Sequence, residues 1–112
     1  MSKLPDIVEA RRTEIEELCR RYGVERLYIF GSAARGELTA ESDIDFQAEM
    51  LGREPTGGYA DRVFGLWEDL ETLFGRRIDL LTAKEFRNPY FRRQLEATRV
   101  LVYERPREEA AA

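Results

Sequence analysis

Apolar positions along the chain follow two alternating rhythms. From Asp6 to Tyr22, residues Ile7, Val8, Ile15, Leu18, Cys19 and Tyr22 recur at spacings of three, four and seven, the repeat of a single helix face, and Gly23 stops the run. Val24 to Phe30 is a short, dense run of aliphatic and aromatic residues ended by Gly31-Ser32, the pattern of a buried strand. Ala33 to Glu37 is predicted as a short helix, and Gly36 with the polar run Thr39 to Ser42 leads into a second strand from Asp43 to about Glu49. Leu51 to Gly58, with Pro55 and Gly57-Gly58, reads as a mobile surface loop. The longest helix is predicted over Tyr59 to Phe74, where Val63, Leu66, Trp67, Leu70, Leu73 and Phe74 form one stripe and Gly75 is the stop. Arg77 to Thr82 follows as a third strand. Asn88 to about Ala97 is a further helix with Pro89 in its first turn, and Arg99 to Tyr103 is a closing strand.

Strand and helix therefore alternate, which favours an α/β layered architecture. A crossover through the long helix should set the second and third strands parallel and adjacent. The 112 residues suit one domain: residues 1–104 form it, and 105–112, charged and then alanine-rich, form a flexible tail. Apolar runs such as Leu27 to Phe30 are far shorter than the roughly 18 residues of a membrane span, and Asp6 comes before any secretory apolar segment, so a cytoplasmic protein is expected.

Composition narrows the chemistry. There is no histidine, which removes imidazole bases, Ser-His-Asp triads and His-ligated zinc, and leaves carboxylates to do any catalysis. The net charge of −4 gives no general attraction to long nucleic acid. Arg76-Arg77 and Arg92-Arg93 are the densest basic pairs, read as solvated faces or as contacts to an anion. The single cysteine, Cys19, lies on an apolar helix face and reads as core filler.

Within Ser42-Asp43-Ile44-Asp45-Phe46 the strand alternation sends Asp43 and Asp45 to one side and Ile44 and Phe46 to the other. Two like charges on one face either stand in solvent or share a cation. Hard oxygen donors without histidine or cysteine suit Mg2+ or Mn2+. Asp79 interrupts the apolar run Ile78, Leu80, Leu81 in the strand expected beside this one, so it either joins the same cluster or pairs with Arg76 or Arg77. Gly31 and Ser32, after one strand and before a short helix, form either a plain turn or a cradle for phosphate oxygens, to which Arg35 could add charge.

Gly31-Ser32, ten residues, then Asp43-Ile44-Asp45, within FGSAARGELTAESDIDF, resembles the signature of the polymerase-beta-like nucleotidyltransferase superfamily, and in particular its small MNT proteins. The strand bearing Asp79 resembles the one that supplies that family's third acid. The resemblance implies an α+β nucleotidyltransferase fold, with a mixed four-stranded sheet and helices packed against it. It also implies that Asp43, Asp45 and Asp79 bind metal and carry catalysis, while Gly31, Ser32 and Arg35 steady the phosphates of ATP. One departure stands in the sequence: after Asp45 the chain reads Phe46-Gln47-Ala48-Glu49, less uniformly aliphatic than many relatives.

Larger relatives add a second domain for the acceptor, so here the acceptor is expected from elsewhere. MNT proteins resembling this chain act as antitoxins that add AMP from ATP to a tyrosine of a HEPN ribonuclease toxin, and that activity is the leading expectation. Two alternatives remain open: an antitoxin that acts by binding alone, and a transferase acting on a small molecule such as an aminoglycoside, as a homo-oligomer whose interface completes the pocket.

Overall fold

The computed structural model describes residues 4–51, 58–82 and 88–106. In chain order the elements are α1 (Asp6–Glu9), α2 (Arg12–Tyr22), β1 (Val24–Phe30), α3 (Gly31–Ala34), β2 (Ile44–Met50), α4 (Tyr59–Phe74), β3 (Ile78–Thr82), α5 (Pro89–Thr98) and β4 (Val100–Glu104). The strands form one mixed sheet in the order β3-β2-β1-β4. β1 pairs antiparallel with both β2 and β4, whereas β2 and β3 run parallel, as the α4 crossover requires. The expected α+β architecture with four strands is the observed one.

α2 and α4 pack on each other and on the same face of the sheet. Leu27, Ile29, Ile44, Phe46 and Ala48 from the central strands meet Ile15, Cys19, Leu66 and Leu70 there, all fully buried. The Phe46 ring lies 6.0 Å from that of Phe74, which fastens the end of α4 beneath β2. Close helix contact depends on Gly65, because a Cβ at that position would land on the ring of Tyr22. Trp67 reaches from α4 to the sheet, its Nε1 donating to the Ile78 carbonyl at 2.6 Å.

Several element boundaries differ from expectation, β2 and β3 each starting one residue late, at Ile44 and Ile78. The single helix expected over Asp6 to Tyr22 breaks at Ala10-Arg11, because residues 9–14 carry no buried side chain between Val8 and Ile15 to hold that turn against the core. The short helix starts at Gly31 rather than Ala33 and ends before Arg35, with Gly36 at φ 73° turning the chain away. β4 begins one residue late, at Val100, because Arg99 caps α5 and its amide donates back to the Leu95 carbonyl at 2.8 Å. The start of α5 is as expected, with Asn88 accepting from the Tyr90 amide at 2.9 Å ahead of Pro89. Most of the loop expected over residues 51–58 and of the tail expected over 105–112 lies outside the described residues. Arg105 still donates its amide to the Glu25 carbonyl at 2.8 Å. Among the described residues, no helix is long and apolar enough to cross a membrane.

Candidate active site

The strand pleat that buries Ile44, Phe46 and Ala48 turns Asp45, Gln47 and Glu49 to the opposite face of the sheet. Asp45 pairs in register with Phe30, the last residue of β1, on one side, and with Asp79 of β3 on the other. Two carboxyls distant in sequence thus become lateral neighbours. They are joined by a side-chain hydrogen bond, with Asp43 near enough for its charge to act on Asp45. Burial first, then the hydrogen bond and charge of Asp79, then the charge of Asp43, push the Asp45 carboxyl up to about 6. The Arg35 guanidinium opposes that shift, which brings Arg35 into the electrostatic neighbourhood of the cluster, although its own ion pair is with Glu37 at 3.3 Å.

Gly31 closes the site from the β1 side. Its φ is 64°, and an added Cβ would land on Oδ2 of Asp45, so only glycine lets the backbone pass this carboxyl. Ser32 follows in α3, half-buried, with its carbonyl accepting from the Glu37 amide at 2.9 Å. All six residues singled out in the sequence therefore lie around the point where β1 ends and β2 begins, or beside it on β3.

Asp79 corrects one part of the expectation. It is exposed rather than set in an apolar interior, because β3 is the margin of the sheet and its outward residues face water. Burial falls on Asp45 instead. Among the described residues no ion pair joins Asp79 to Arg76 or Arg77. The Arg76 guanidinium donates instead to the carbonyls of Thr39 at 2.8 Å and Ser42 at 3.0 Å. Arg92 pairs along its own helix with Glu96 at 3.0 Å, as a solvated face does.

Among the described residues no three His, Cys, Asp or Glu side chains form a closed nest for a metal ion as they stand. The chemistry of the donors nevertheless fits a hard divalent cation: Asp45 and Asp79 are register partners on neighbouring strands, and carboxylate oxygens with no histidine or cysteine beside them suit such an ion.

The polar residues after Asp45 also find their explanation. Gln47, 3% exposed, accepts from Arg99 Nη1 at 2.9 Å. Arg99 lies 3.8 Å over the Tyr28 ring and 3.6 Å from Glu49. Gln47 and Glu49 share the face of Asp45, so the strand is polar on that side because an arginine spans it. The interrupted aliphatic run was the only sequence signal of this cluster, and it does not say which cation answers it.

The chain matches the family described as "Nucleotidyltransferase domain" over residues 12–102. It is 36% identical, over 91% of its length and 100% of the relative's, to a Methanocaldococcus jannaschii protein assigned by inference as a protein adenylyltransferase. A solved structure described as an inferred minimal nucleotidyltransferase superposes with a TM-score of 0.68 at 32% identity, covering 82% of this chain and 89% of that one. The fold also matches a complex of a tri-AMPylated Shewanella oneidensis HEPN toxin with an MNT antitoxin, with a TM-score of 0.60 at 14% identity and coverage of 93% and 78%.

Proposed function

The chain belongs to the nucleotidyltransferase domain family and is a nucleotidyltransferase, and from that premise we propose that it is an MNT antitoxin that transfers AMP from ATP to a tyrosine hydroxyl of a cognate HEPN toxin. The observation that carries the proposal is the in-register pairing of Asp45 with Asp79, beside Asp43 and against Gly31. Full-length similarity to a protein assigned as a protein adenylyltransferase supports a protein acceptor, and the toxin–antitoxin complex of like fold supports a toxin as that acceptor.

In this reading Asp43, Asp45 and Asp79 hold Mg2+ or Mn2+, which when bound neutralises the triphosphate and stabilises charge at the α-phosphorus. Gly31 keeps the Asp45 carboxylate in place. Gly31, Ser32 and Arg35 border the side on which the phosphates lie. The exposed Asp79 leaves the acceptor hydroxyl an open approach. That oxygen bonds to the α-phosphorus while its proton passes to solvent water on the side of the exposed Asp79, the bond to the β-phosphate oxygen breaks, and pyrophosphate leaves with the electron pair.

Incubation with ATP labelled at the α-phosphate, Mg2+ and the product of the neighbouring gene tests the proposal. Covalent label on a tyrosine of that partner is expected, and the Asp43→Asn, Asp45→Asn double variant should lose the label yet still bind. Binding without label would make the protein a binding-only antitoxin. Label on a small acceptor such as an aminoglycoside, with none on protein, would make it a small-molecule transferase.

A further inference from the structure

Asp43 lies just before β2, so the regular pairing of the sheet does not hold it directly. The preceding turn does. The Thr39 amide donates to Ser42 Oγ at 3.0 Å, the Ser42 amide donates to the Thr39 carbonyl at 3.2 Å, and the two hydroxyls are 2.8 Å apart. This closed turn is tied to the rest of the fold from one direction. Arg76, in the link between α4 and β3, donates through Nη1 to both the Thr39 and Ser42 carbonyls, and the neighbouring Arg77 carbonyl accepts from the Ile44 amide at 3.2 Å.

We propose that Arg76 is a positioning residue for the carboxylate cluster: by clamping the Thr39–Ser42 turn it sets Asp43 relative to Asp45 and Asp79. The clamp joins the chain just before Asp43 to the link that leads into Asp79. Both ends of the cluster therefore move as one body, and loss of the clamp frees Asp43 while Asp45 and Asp79 stay in register on the sheet. Both bonds leave from the single nitrogen Nη1, so the task needs a charged donor on a long side chain rather than the whole guanidinium fork. The inference rests on the reading of this cluster as a divalent-cation site.

The molecule supplies its own control. Arg62 uses the same device at the opposite end of the sheet, donating to the carbonyls of Tyr22, Gly23 and Leu51 at 3.2, 3.4 and 3.1 Å. Mn2+ uptake by the full chain, with no nucleotide, is measured by calorimetry for the wild type, Arg76→Ala, Arg76→Lys, Ser42→Ala and Arg62→Ala, with a thermal midpoint for each. Arg76→Ala is expected to weaken uptake at least about tenfold, the scale of losing a residue that orients a ligand. Arg76→Lys should restore most of the loss, and Ser42→Ala, which loosens the turn from inside, should shift uptake in the same direction. Arg62→Ala should lower the midpoint and leave uptake unchanged. Wild-type uptake in Arg76→Ala and Ser42→Ala would overturn the proposal, as would an equal loss in Arg62→Ala. Absence of uptake by the wild type would instead sink the cation-site reading itself.

Discussion

Replacing Asp45 by asparagine should stabilise the protein while abolishing transfer. In the fold the Asp45 carboxyl is pushed from 3.8 up to about 6, chiefly by burial and then by Asp79 and Asp43. The folded state therefore binds more protons than the unfolded state between those values. Stability is fully present below about pH 4 and is lost as the pH rises through 6. The whole displacement corresponds to about 3 kcal/mol, and because Asp45 is only half-buried, screening by water reduces it to about 1 kcal/mol. Asparagine carries no charge at any pH and its amide can donate to Asp79. At pH 8 in a chelating buffer, the variant should melt about 4 °C above the wild type, the shift that about 1 kcal/mol gives in a domain of this size. At pH 4 the two should melt together. Adding Mn2+ and ATP should raise the midpoint of the wild type and leave that of the variant in place. A variant that melts below the wild type at pH 8, or a gap that is the same at pH 4 and pH 8, would refute this account of the cluster.

Gly31→Ala puts a methyl group on Asp45 and a side chain in a left-handed backbone. It should cost about 1–2 kcal/mol in urea unfolding, and the misplaced carboxylate should slow labelling about 100-fold; a rate near that of the wild type would show that Asp45 has room to move. Trp67→Phe removes the donor to the Ile78 carbonyl and should lower stability by about 1–3 kcal/mol, read from the urea midpoint. The Cys19 thiol is pushed up to about 12 by burial and by Glu16, so iodoacetamide at pH 8 should leave it unmodified in the native protein and alkylate it in urea.

Periodicity carried most of the fold because the core is built on it. The stripe from Val63 to Phe74 predicts α4 to the residue, and the alternation of Asp43 to Phe46 is enough to separate the acidic face from Ile44 and Phe46. The parallel neighbourhood of Asp45 and Asp79 was legible as topology, since a helical crossover leaves a β-strand few other places to go. Arg76 was not legible. A guanidinium that bonds backbone carbonyls far away in sequence has no spacing that marks it, and beside Arg77 it looks like surface charge. The same holds for Arg99, which reaches Gln47 and Tyr28 from the end of a different helix. The exposure of Asp79 was hidden because an apolar run signals burial of a strand as a whole, while an edge strand buries only one of its faces. The break between α1 and α2 was hidden too, because the apolar residues on both sides of a polar gap fit one helical repeat.

The parallel pairing of β2 with β3 has a consequence for how the protein comes to be competent. The hairpin-like partners β1 and β2 can associate while the rest of the chain is loose, bringing Gly31 and Asp45 together early. Asp79 joins them only through the α4 crossover, a longer-range closure of the kind expected to be slower. Under the proposed function, a chain in which β3 has not docked lacks Asp79 at the cluster and is expected to give no transfer. Labelling activity followed during refolding should therefore lag behind the recovery of helix signal, and serve as a gauge of completed assembly.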